Sequence, residues 1–294
     1  MTKRFGIAGL QLKRDSDSSQ SSLEKFRSMA RDTLKEFPWI DLVFTGEYYL
    51  QEHEAGESWR PYANTFPNEL TNQISDIAKE LDTWIIPGTL IEETDIGIFN
   101  TILVFDPDGK IVCSYRKAFP WRPSEDYDYG DKLVVFEVED FGRIGLSICY
   151  DIWFPEVVRN LAWMGAEVVL HPTANPMPDR DTEIMLARAQ AVFNQCYILS
   201  LNIVEEIGGG YSAFVDPEGR ILRKSGPEET VLTTVVDFDH VSWLREHGTF
   251  GNTPVWKSLR DSRVRENLPA YRNFEDGTVL ENLGNLDKKE NLND

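Results

Sequence analysis

Apolar positions in the first third of the chain follow two different periods. The segment Arg4–Gln11 alternates small and apolar residues as a strand does, and residues 40–44 and 84–89 are short apolar runs typical of buried strands. Around them, residues 22–37 and 68–81 have the spacing and charge content of surface helices. The pattern predicts strands that alternate with helices.

Paired strands around tight turns are predicted in the rest of the chain. Proline, aspartate and glycine favour a hairpin turn at residues 106–109, and similar turns are expected at 140–142 and 216–219. The remaining predicted elements are strands at 100–105, 110–116, 133–137, 143–149, 167–171 and 196–202, and helices at 156–164 and 183–194. Because a purely parallel sheet would not need three hairpins, we predict an α/β fold of four layers, with two packed sheets covered by helices.

The composition of the chain changes near its C-terminal end. Residues 1–265 are predicted to form a single domain, whereas residues 266–294 are polar and irregular, with too little apolar content to fold alone. We expect an extended arm or a frayed tail there. An arm that contacts another subunit is the functional alternative.

Composition and charge exclude several classes of protein. With 294 residues and 41% hydrophobic residues the chain can form a sizeable core, and its net charge of -19 argues against nucleic acid and anionic membranes as partners. It has neither an apolar run long enough to span a bilayer nor a secretory signal, so a cytoplasmic protein is expected. Three cysteines without a CxxC pair predict free thiols, with no disulfide and no metal site.

Cys149 lies where a predicted strand stops and a helix is about to begin. A side chain at such a turn is presented at the carboxyl edge of the sheet, where open α/β sheets bind ligands, and backbone N–H groups can face a developing oxyanion. The position suits a nucleophile, although by itself it fits a buried structural thiol as well. Cys113 and Cys196 have apolar strand contexts and are expected in the core.

Three charged residues have comparable positions. Glu47 follows the apolar run 40–44 among aromatic residues, where partial burial would raise its pKa and suit it to act as a general base. Lys117 follows a predicted strand, where it can hold an oxyanion and lower the pKa of a nearby thiol. Glu125 can fix this lysine or orient a substrate. Taken singly, each residue also fits a solvated loop or strand end.

Together these residues resemble the nitrilase superfamily of carbon–nitrogen hydrolases, whose mark is a glutamate, a lysine and a cysteine at the ends of three separate strands. Glu47, Tyr115-Arg-Lys117 and the segment 145–156, GLSICYDIWFPE, match its three motifs in order. The resemblance extends over roughly residues 4–240 and includes the landmarks Gly88-Thr-Leu-Ile-Glu92, Phe99-Asn-Thr101, Gly165-Ala-Glu167 and Tyr211-Ser212.

The resemblance implies a fold, a site and an assembly. The fold would be the αββα sandwich, dimerised through helices, so a homodimer or higher homo-oligomer is expected. The catalytic residues would be Glu47, Lys117 and Cys149, with no cofactor and no metal. Substrate-positioning residues are expected to be Glu125, Tyr150, Trp121, Trp153 and Asn175.

Two positions depart from the usual family pattern. The glutamate motif usually has a proline before its glutamate, where this chain has Gly46, which would leave the loop more permissive. Many members have a glutamate where this chain has Phe193, which puts the surrounding polar network in question.

Local sequence also points to a substrate class. The stretch from Lys117 to Glu125 resembles the aliphatic amidase and formamidase branch, and Tyr150-Asp151 stand where true nitrilases usually have tryptophan and glutamate. The expected reaction is hydrolysis of a small, linear aliphatic amide to a carboxylic acid and ammonia through a thioester on Cys149.

Two other functions stay open. One is hydrolysis of N-carbamoyl amino acids or amines, in which Arg122, Arg180 or His171 would hold a substrate carboxylate. The second is a binding protein that keeps the fold without turnover, suggested by the departures at Gly46 and Phe193.

Overall fold

A computed structural model describes residues 3–15, 18–51, 57–205, 208–263 and 268. Its strands, in chain order, are β1 (Arg4–Gln11), β2 (Leu42–Thr45), β3 (Trp84–Ile86), β4 (Leu90–Thr94), β5 (Gly97–Phe105), β6 (Ile111–Arg116), β7 (Val135–Val138), β8 (Gly142–Leu146), β9 (Val168–Thr173), β10 (Tyr197–Asn202), β11 (Ala213–Val215), β12 (Ile221–Lys224) and β13 (Thr230–Asp237). Its helices are α1 (Ser19–Glu36), α2 (Glu69–Leu81), α3 (Pro155–Trp163), α4 (Met177–Asn194), α5 (Phe238–His247) and α6 (Val255–Asp261). Apart from Leu268, the predicted arm at 266–294 lies outside the described residues.

The strands form two sheets. The first has the order β13-β1-β2-β3-β5-β4, with β6 also paired to β5, and the second has the order β12-β11-β10-β9-β8-β7. Strands β1, β2 and β3 run parallel in the first sheet, as do β8, β9 and β10 in the second, whereas the hairpins pair antiparallel towards the edges. Each sheet therefore gathers the carboxyl ends of its parallel strands at one edge.

Three apolar clusters hold four layers together. The central cluster joins the two sheets and includes the stacked rings of Phe44 on β2 and Phe214 on β11, whose centroids lie 5.9 Å apart. A second cluster packs α1 and α2 on the outer face of the first sheet, and a third packs α3 and α4 on the second. The predicted αββα sandwich is confirmed, because both faces of each sheet are apolar and need cover.

Local signals set the beginnings of the first two helices. The side chain of Ser18 accepts a hydrogen bond from the Ser21 N–H, so α1 begins earlier than predicted, at Ser19. Asn68 and Thr71 form a reciprocal capping box at the start of α2, in which each side chain accepts from the backbone N–H of the other.

Helix α4 is longer than predicted. It begins at Met177 instead of residue 183, because Pro178 lies in the first turn, where a missing N–H breaks no helical hydrogen bond. The predicted helix began after both prolines that flank Met177. The additional turns place Asp179 beside the cavity described below.

Other elements were not predicted at all: β4, β13, α5 and α6. Strand β13 pairs antiparallel with β1 along its entire length, so the C-terminal part of the domain closes the first sheet against the N-terminal strand. Its alternating burial is the period-two pattern of a strand that faces the core on one side. The sequence shows this alternation incompletely, because the polar Thr234 faces the core and the apolar Val235 faces outward.

Within the described ranges, the helices are too short or too polar to cross a bilayer. The predicted cytoplasmic location stays a prediction.

Candidate active site

The fold brings Glu47, Lys117 and Cys149 together at the carboxyl ends of strands from both sheets. Glu47 follows β2 and Lys117 follows β6 in the first sheet, while Cys149 follows β8 in the second. Glu47 also joins the sheets directly, because its backbone N–H donates to the Thr173 carbonyl at 3.3 Å and one of its carboxylate oxygens accepts from the Ala174 N–H at 3.0 Å. The three predicted catalytic residues thus share one site.

The Glu47 carboxylate is buried and accepts several hydrogen bonds. Oε1 accepts from Lys117 Nζ at 2.9 Å and from Asn100 Nδ2 at 2.8 Å, and the thiol of Cys149 donates to the same carboxylate. Burial raises the pKa of Glu47 to about 7; the positive charge of Lys117 opposes this increase and the negative charge of Glu125 adds to it. A carboxyl group of this pKa exchanges protons readily near neutral pH, as a general base must.

Lys117 is fully buried between two carboxylates. Its Nζ donates to Glu125 Oε1 at 2.8 Å and Oε2 at 2.9 Å, in addition to Glu47. Burial alone would lower the pKa of Lys117, but Glu125 and Glu47 outweigh it and hold that pKa well above its usual value. Burial would likewise raise the pKa of Glu125, yet the lysine keeps it below its ordinary value. The Lys117–Glu125 pair is therefore charged.

Glu125 contacts the lysine and the surrounding wall. Its Oε2 accepts from the Trp121 N–H and its Oε1 from the Tyr48 hydroxyl at 2.8 Å, which in turn lies 2.6 Å from the Tyr127 hydroxyl. Glu125 was predicted either to fix Lys117 or to orient a substrate, and these contacts support the first role.

Cys149 begins a short 3₁₀ turn (Cys149–Trp153), and its backbone has a φ of +45°. A side-chain-bearing residue adopts such a left-handed conformation only where the surroundings impose it, and such strain is frequent at catalytic positions. The strand predicted to reach Cys149 ends at Leu146. The sharp turn that follows directs the thiol to Glu47.

The pKa of the Cys149 thiol corrects one prediction. The positive charge of Lys117 lowers this pKa, as expected. Burial and the negative charge of Glu47 raise it by more, so the pKa of the thiol is well above its ordinary value. In the free enzyme the sulfur therefore carries its proton. Activation requires proton transfer to Glu47 and does not rely on a preformed thiolate.

Asp151 anchors the cysteine turn to the lysine strand. Its Oδ2 accepts from the Ile148 N–H at 2.8 Å and from the Tyr115 hydroxyl at 2.7 Å, and its Oδ1 accepts from the Phe119 N–H at 2.9 Å. These bonds connect the two sheets beside the site. Removal of the carboxylate would leave buried donors without partners.

A cavity of about 410 Å³ opens above these residues. All the predicted positioning residues line it, and the lining residues are Glu47, Tyr48, Trp59, Trp121, Ser124, Glu125, Cys149, Tyr150, Trp153, Ala174, Asn175, Pro176 and Asp179. The Asn175 Oδ1 is buried without a hydrogen-bond partner among the described residues.

Sequence reasoning missed several residues of the site, among them Asn100, Tyr127, Trp59 and Asp179. The side-chain amide of Asn100 donates to the Glu47 carboxylate and to the Tyr127 hydroxyl. Trp59 and Asp179 line the cavity. Asn100 could have been recognised from the sequence, because it belongs to the landmark motif Phe99-Asn-Thr101. Trp59 and Asp179 come from segments whose positions only the folded chain determines.

The three basic residues considered for a substrate carboxylate contact other groups. Arg180 is buried and bonds Ser200 Oγ at 3.0 Å and the Glu183 carboxylate at 3.1 Å. His171 lies between Ser147 and Glu183, at 2.7 Å from each, and Arg122 donates to two backbone carbonyl groups. All three are absent from the described cavity wall. Their positions do not favour the prediction that they hold a substrate carboxylate.

The two departures from the family pattern have structural explanations. Gly46 does not make the loop permissive, because a Cβ there would lie 2.6 Å from Ile203 Cγ2; the close packing of the two loops requires glycine. Phe193 is 56% exposed on α4 and lies outside the cavity wall, so its replacement of glutamate leaves the polar network of the site unaffected.

Comparisons with known proteins identify the family of the chain. The family model of carbon–nitrogen hydrolases matches residues 7–246. Omega-amidase NIT2 of Mus musculus is 29% identical over 259 residues, which cover 82% of this chain and 92% of that protein. Omega-amidase NIT2 of Xenopus tropicalis is 31% identical over 201 residues, which cover 63% of this chain and 72% of that protein.

Solved structures share the fold. Nit3 of Saccharomyces cerevisiae, a member of branch 10 of the nitrilase superfamily, superposes with a TM-score of 0.75 at 25% identity, covering 83% of this chain and 94% of that one. An amidase from Nesterenkonia sp. has a TM-score of 0.71 at 23% identity, and the match covers 82% of this chain and 93% of the amidase. By its sequence motifs, its fold and its family match, this chain belongs to the carbon–nitrogen hydrolases of the nitrilase superfamily.

Proposed function

We propose that this carbon–nitrogen hydrolase cleaves linear aliphatic amides to a carboxylic acid and ammonia through a thioester on Cys149. The observation that carries the proposal is the Cys149 thiol hydrogen-bonded to a Glu47 carboxylate whose pKa burial raises to about 7. An acid of this strength can accept the thiol proton and later protonate a leaving amine.

The first half of the reaction forms the thioester. Glu47 accepts the thiol proton, the sulfur attacks the amide carbonyl, and the oxyanion is stabilised by Lys117 Nζ and the Tyr150 N–H, which has no hydrogen-bond partner among the described residues. The three donors of Lys117 point to Glu47 and to both oxygens of Glu125, so one of the two bonds to Glu125 must be exchanged for the oxyanion.

The second half of the reaction regenerates the enzyme. The tetrahedral intermediate loses ammonia, which takes its proton from Glu47, and the acyl group stays on Cys149. Glu47 then removes a proton from water, the hydroxide attacks the thioester, and the carboxylic acid leaves as the thiol re-forms. In this proposal Asn175 accepts a hydrogen bond from the amide nitrogen, which is supported by its unpartnered buried Oδ1, and Glu125 holds Lys117 throughout.

Amides are favoured over the alternatives by specific observations. The relatives named omega-amidases support an amide substrate. A carbamoyl amino acid would need a cation for its carboxylate, and the candidates Arg122, Arg180 and His171 are engaged elsewhere. A binding protein without turnover would not need a thiol hydrogen-bonded to a base.

Ammonia release from a substrate panel tests the proposal. The panel consists of formamide, acetamide, hexanamide, an N-carbamoyl amino acid and a nitrile. Hydroxylamine should divert the reaction of a cleaved amide to the acyl hydroxamate, and intact-mass analysis should show the acyl group on Cys149. Cys149→Ser should lower turnover by at least about a thousandfold, whereas the matched variant Cys113→Ser, on β6, should not. A folded wild-type protein that releases no ammonia from any amide would support the binding-protein alternative.

We also propose that the protein forms a homodimer through the outer face of α3 and α4. Met185, Val192 and Phe193 recur along one side of α4 and are exposed, as is Trp163 at the end of α3. Light scattering should give a dimer for the wild-type protein and a monomer for Phe193→Glu. The control Ile96→Glu alters an exposed apolar residue in the β4–β5 turn and should stay dimeric.

A further inference from the structure

The cavity is larger than a short amide requires. At about 410 Å³ it has room for on the order of ten non-hydrogen atoms, because a water-sized group occupies about 30 Å³ in a liquid. Formamide or acetamide would leave most of this space to water. The substrate therefore has a chain that extends from the reacting carbonyl towards the mouth of the cavity.

The described wall of the cavity carries acidic and no basic side chains. Its charged members are Glu47, Glu125 and Asp179. Lys117 lies behind them and balances one of the two glutamates, since it donates to both. No hydrogen bond or ion pair joins the Asp179 side chain to another described residue. A substrate carboxylate would therefore meet repulsion, whereas a cation would find an uncompensated partner.

The amino end of α4 contributes positive charge beside the acidic wall of the cavity. Asp179 lies in the first turn of α4, where the helix dipole contributes about half a positive charge. The full negative charge of the carboxylate exceeds that contribution. The wall near this helix end is thus negative on balance.

Aromatic rings complete an environment suited to a cation. Trp59, Trp121, Tyr150 and Trp153 line the same cavity, and the rings of Tyr150 and Trp153 have centroids 6.0 Å apart. The face of an aromatic ring attracts ammonium groups, and an anionic side chain near such rings adds a direct charge partner.

We propose that the preferred substrate is an amide whose acyl chain ends in an ammonium group, which binds between Asp179 and the aromatic wall. This inference rests on the proposed amidase function and extends it to a substrate class. Asp179 is accordingly a specificity-determining residue. The chemistry of bond cleavage is the same as for a neutral amide.

Three amides of matched length test the charge preference. They are 5-aminopentanamide, which is cationic, hexanamide, which is neutral, and the monoamide of glutaric acid, which is anionic. The kcat/KM should be highest for the cation and lowest for the anion, with a cation-to-neutral ratio of about fivefold or more, as expected for a partly exposed ion pair. This ratio should fall as salt is added, because the Debye length shortens.

A matched pair of variants assigns the preference to one carboxylate. Asp179→Asn should bring the cation-to-neutral ratio close to one, and Asp179→Lys should place the anion above the cation. The control Asp181→Asn removes an equal charge from the exposed side of the same helix and should keep the wild-type ratio.

The outcomes separate this inference from the proposed function. If hexanamide is hydrolysed through Cys149 and the three substrates are used equally, or Asp179→Asn keeps the preference, the charge inference is wrong and the amidase proposal stands. If no amide is hydrolysed, the amidase proposal fails, and protection of Cys149 from iodoacetamide by the same three amides still tests the inference. Protection in the order cation, neutral, anion would support it, and equal protection would overturn it.

Discussion

The negative charge of Glu125 controls the pH at which Glu47 acts. Both carboxylates accept hydrogen bonds from Lys117 Nζ, at 2.8 Å for Glu125 and 2.9 Å for Glu47, so their nearest oxygens lie within about 6 Å of each other. With an effective dielectric constant of about 20, a charge at this distance contributes roughly 2 to 3 kcal/mol, or about two pKa units. Glu125→Gln removes this charge with little change of shape.

The sign of the effect follows from the role of Glu47. The general base must be ionised, so kcat/KM of the wild-type enzyme should rise with pH through about 7 and then level off. The charge of Glu125 raises the pKa of Glu47, and its removal lowers that pKa. The rising limb for Glu125→Gln should therefore move to lower pH, by about one to two pH units once solvent screening is included. The plateau should fall about tenfold or more, because Lys117 loses its charged partner.

The assay is ammonia release from hexanamide between about pH 5 and pH 9, with thermal unfolding recorded at each pH. The glutamine should lower the unfolding free energy by about 1 to 3 kcal/mol, since its amide cannot satisfy all the donors that now face the carboxylate. Asp131→Asn removes an exposed charge from the same part of the chain and should leave the pH profile unchanged. A folded Glu125→Gln enzyme whose midpoint stays the same or moves to higher pH would refute the reasoning.

Three further results are expected. Iodoacetamide should alkylate Cys149 faster than Cys113 or Cys196: burial raises the pKa of all three thiols, but Cys149 lines the cavity and has Glu47 beside it to accept its proton; peptide mapping of partly labelled protein decides this, and equal labelling would contradict it. Asp151→Asn should lower the unfolding free energy by about 1 to 3 kcal/mol in denaturant titrations, because it disturbs two hydrogen bonds between the lysine and cysteine segments and a third within the cysteine turn; unchanged stability would argue against this anchoring role. Phe44→Ala should lower the unfolding free energy by about 3 to 5 kcal/mol, because it leaves an empty space beside Phe214. Phe250→Ala, at an exposed position, should leave the unfolding free energy nearly unchanged. A small loss of stability in Phe44→Ala would mean that the two sheets move together and fill the space.

Much of the fold followed from local patterns. The apolar runs that became β1, β2 and β3 were recognisable because these strands are buried on both faces, which leaves few polar positions. The hairpin of β5 and β6 followed from its turn residues at 106–109. The boundaries of α4 and the existence of β13 were missed, because prolines and short polar interruptions have the same local appearance in loops and at the ends of elements.

The positions of Glu47, Lys117 and Cys149 at strand ends were determined by the sequence itself, because a strand end is a local property that hydrophobic spacing and turn residues specify. Their protonation states were decided only by tertiary structure: the same thiol, carboxylate and ammonium groups have ordinary pKa values in water, and burial together with distances near 3 Å changes them. The wall that includes Asp179 likewise exists only after the two sheets and α4 pack together. The sequence by itself therefore determined which chemical groups reach the site, and only the packed structure decided the charge they carry and the space they enclose, because electrostatic energy depends on separation and on exclusion of water.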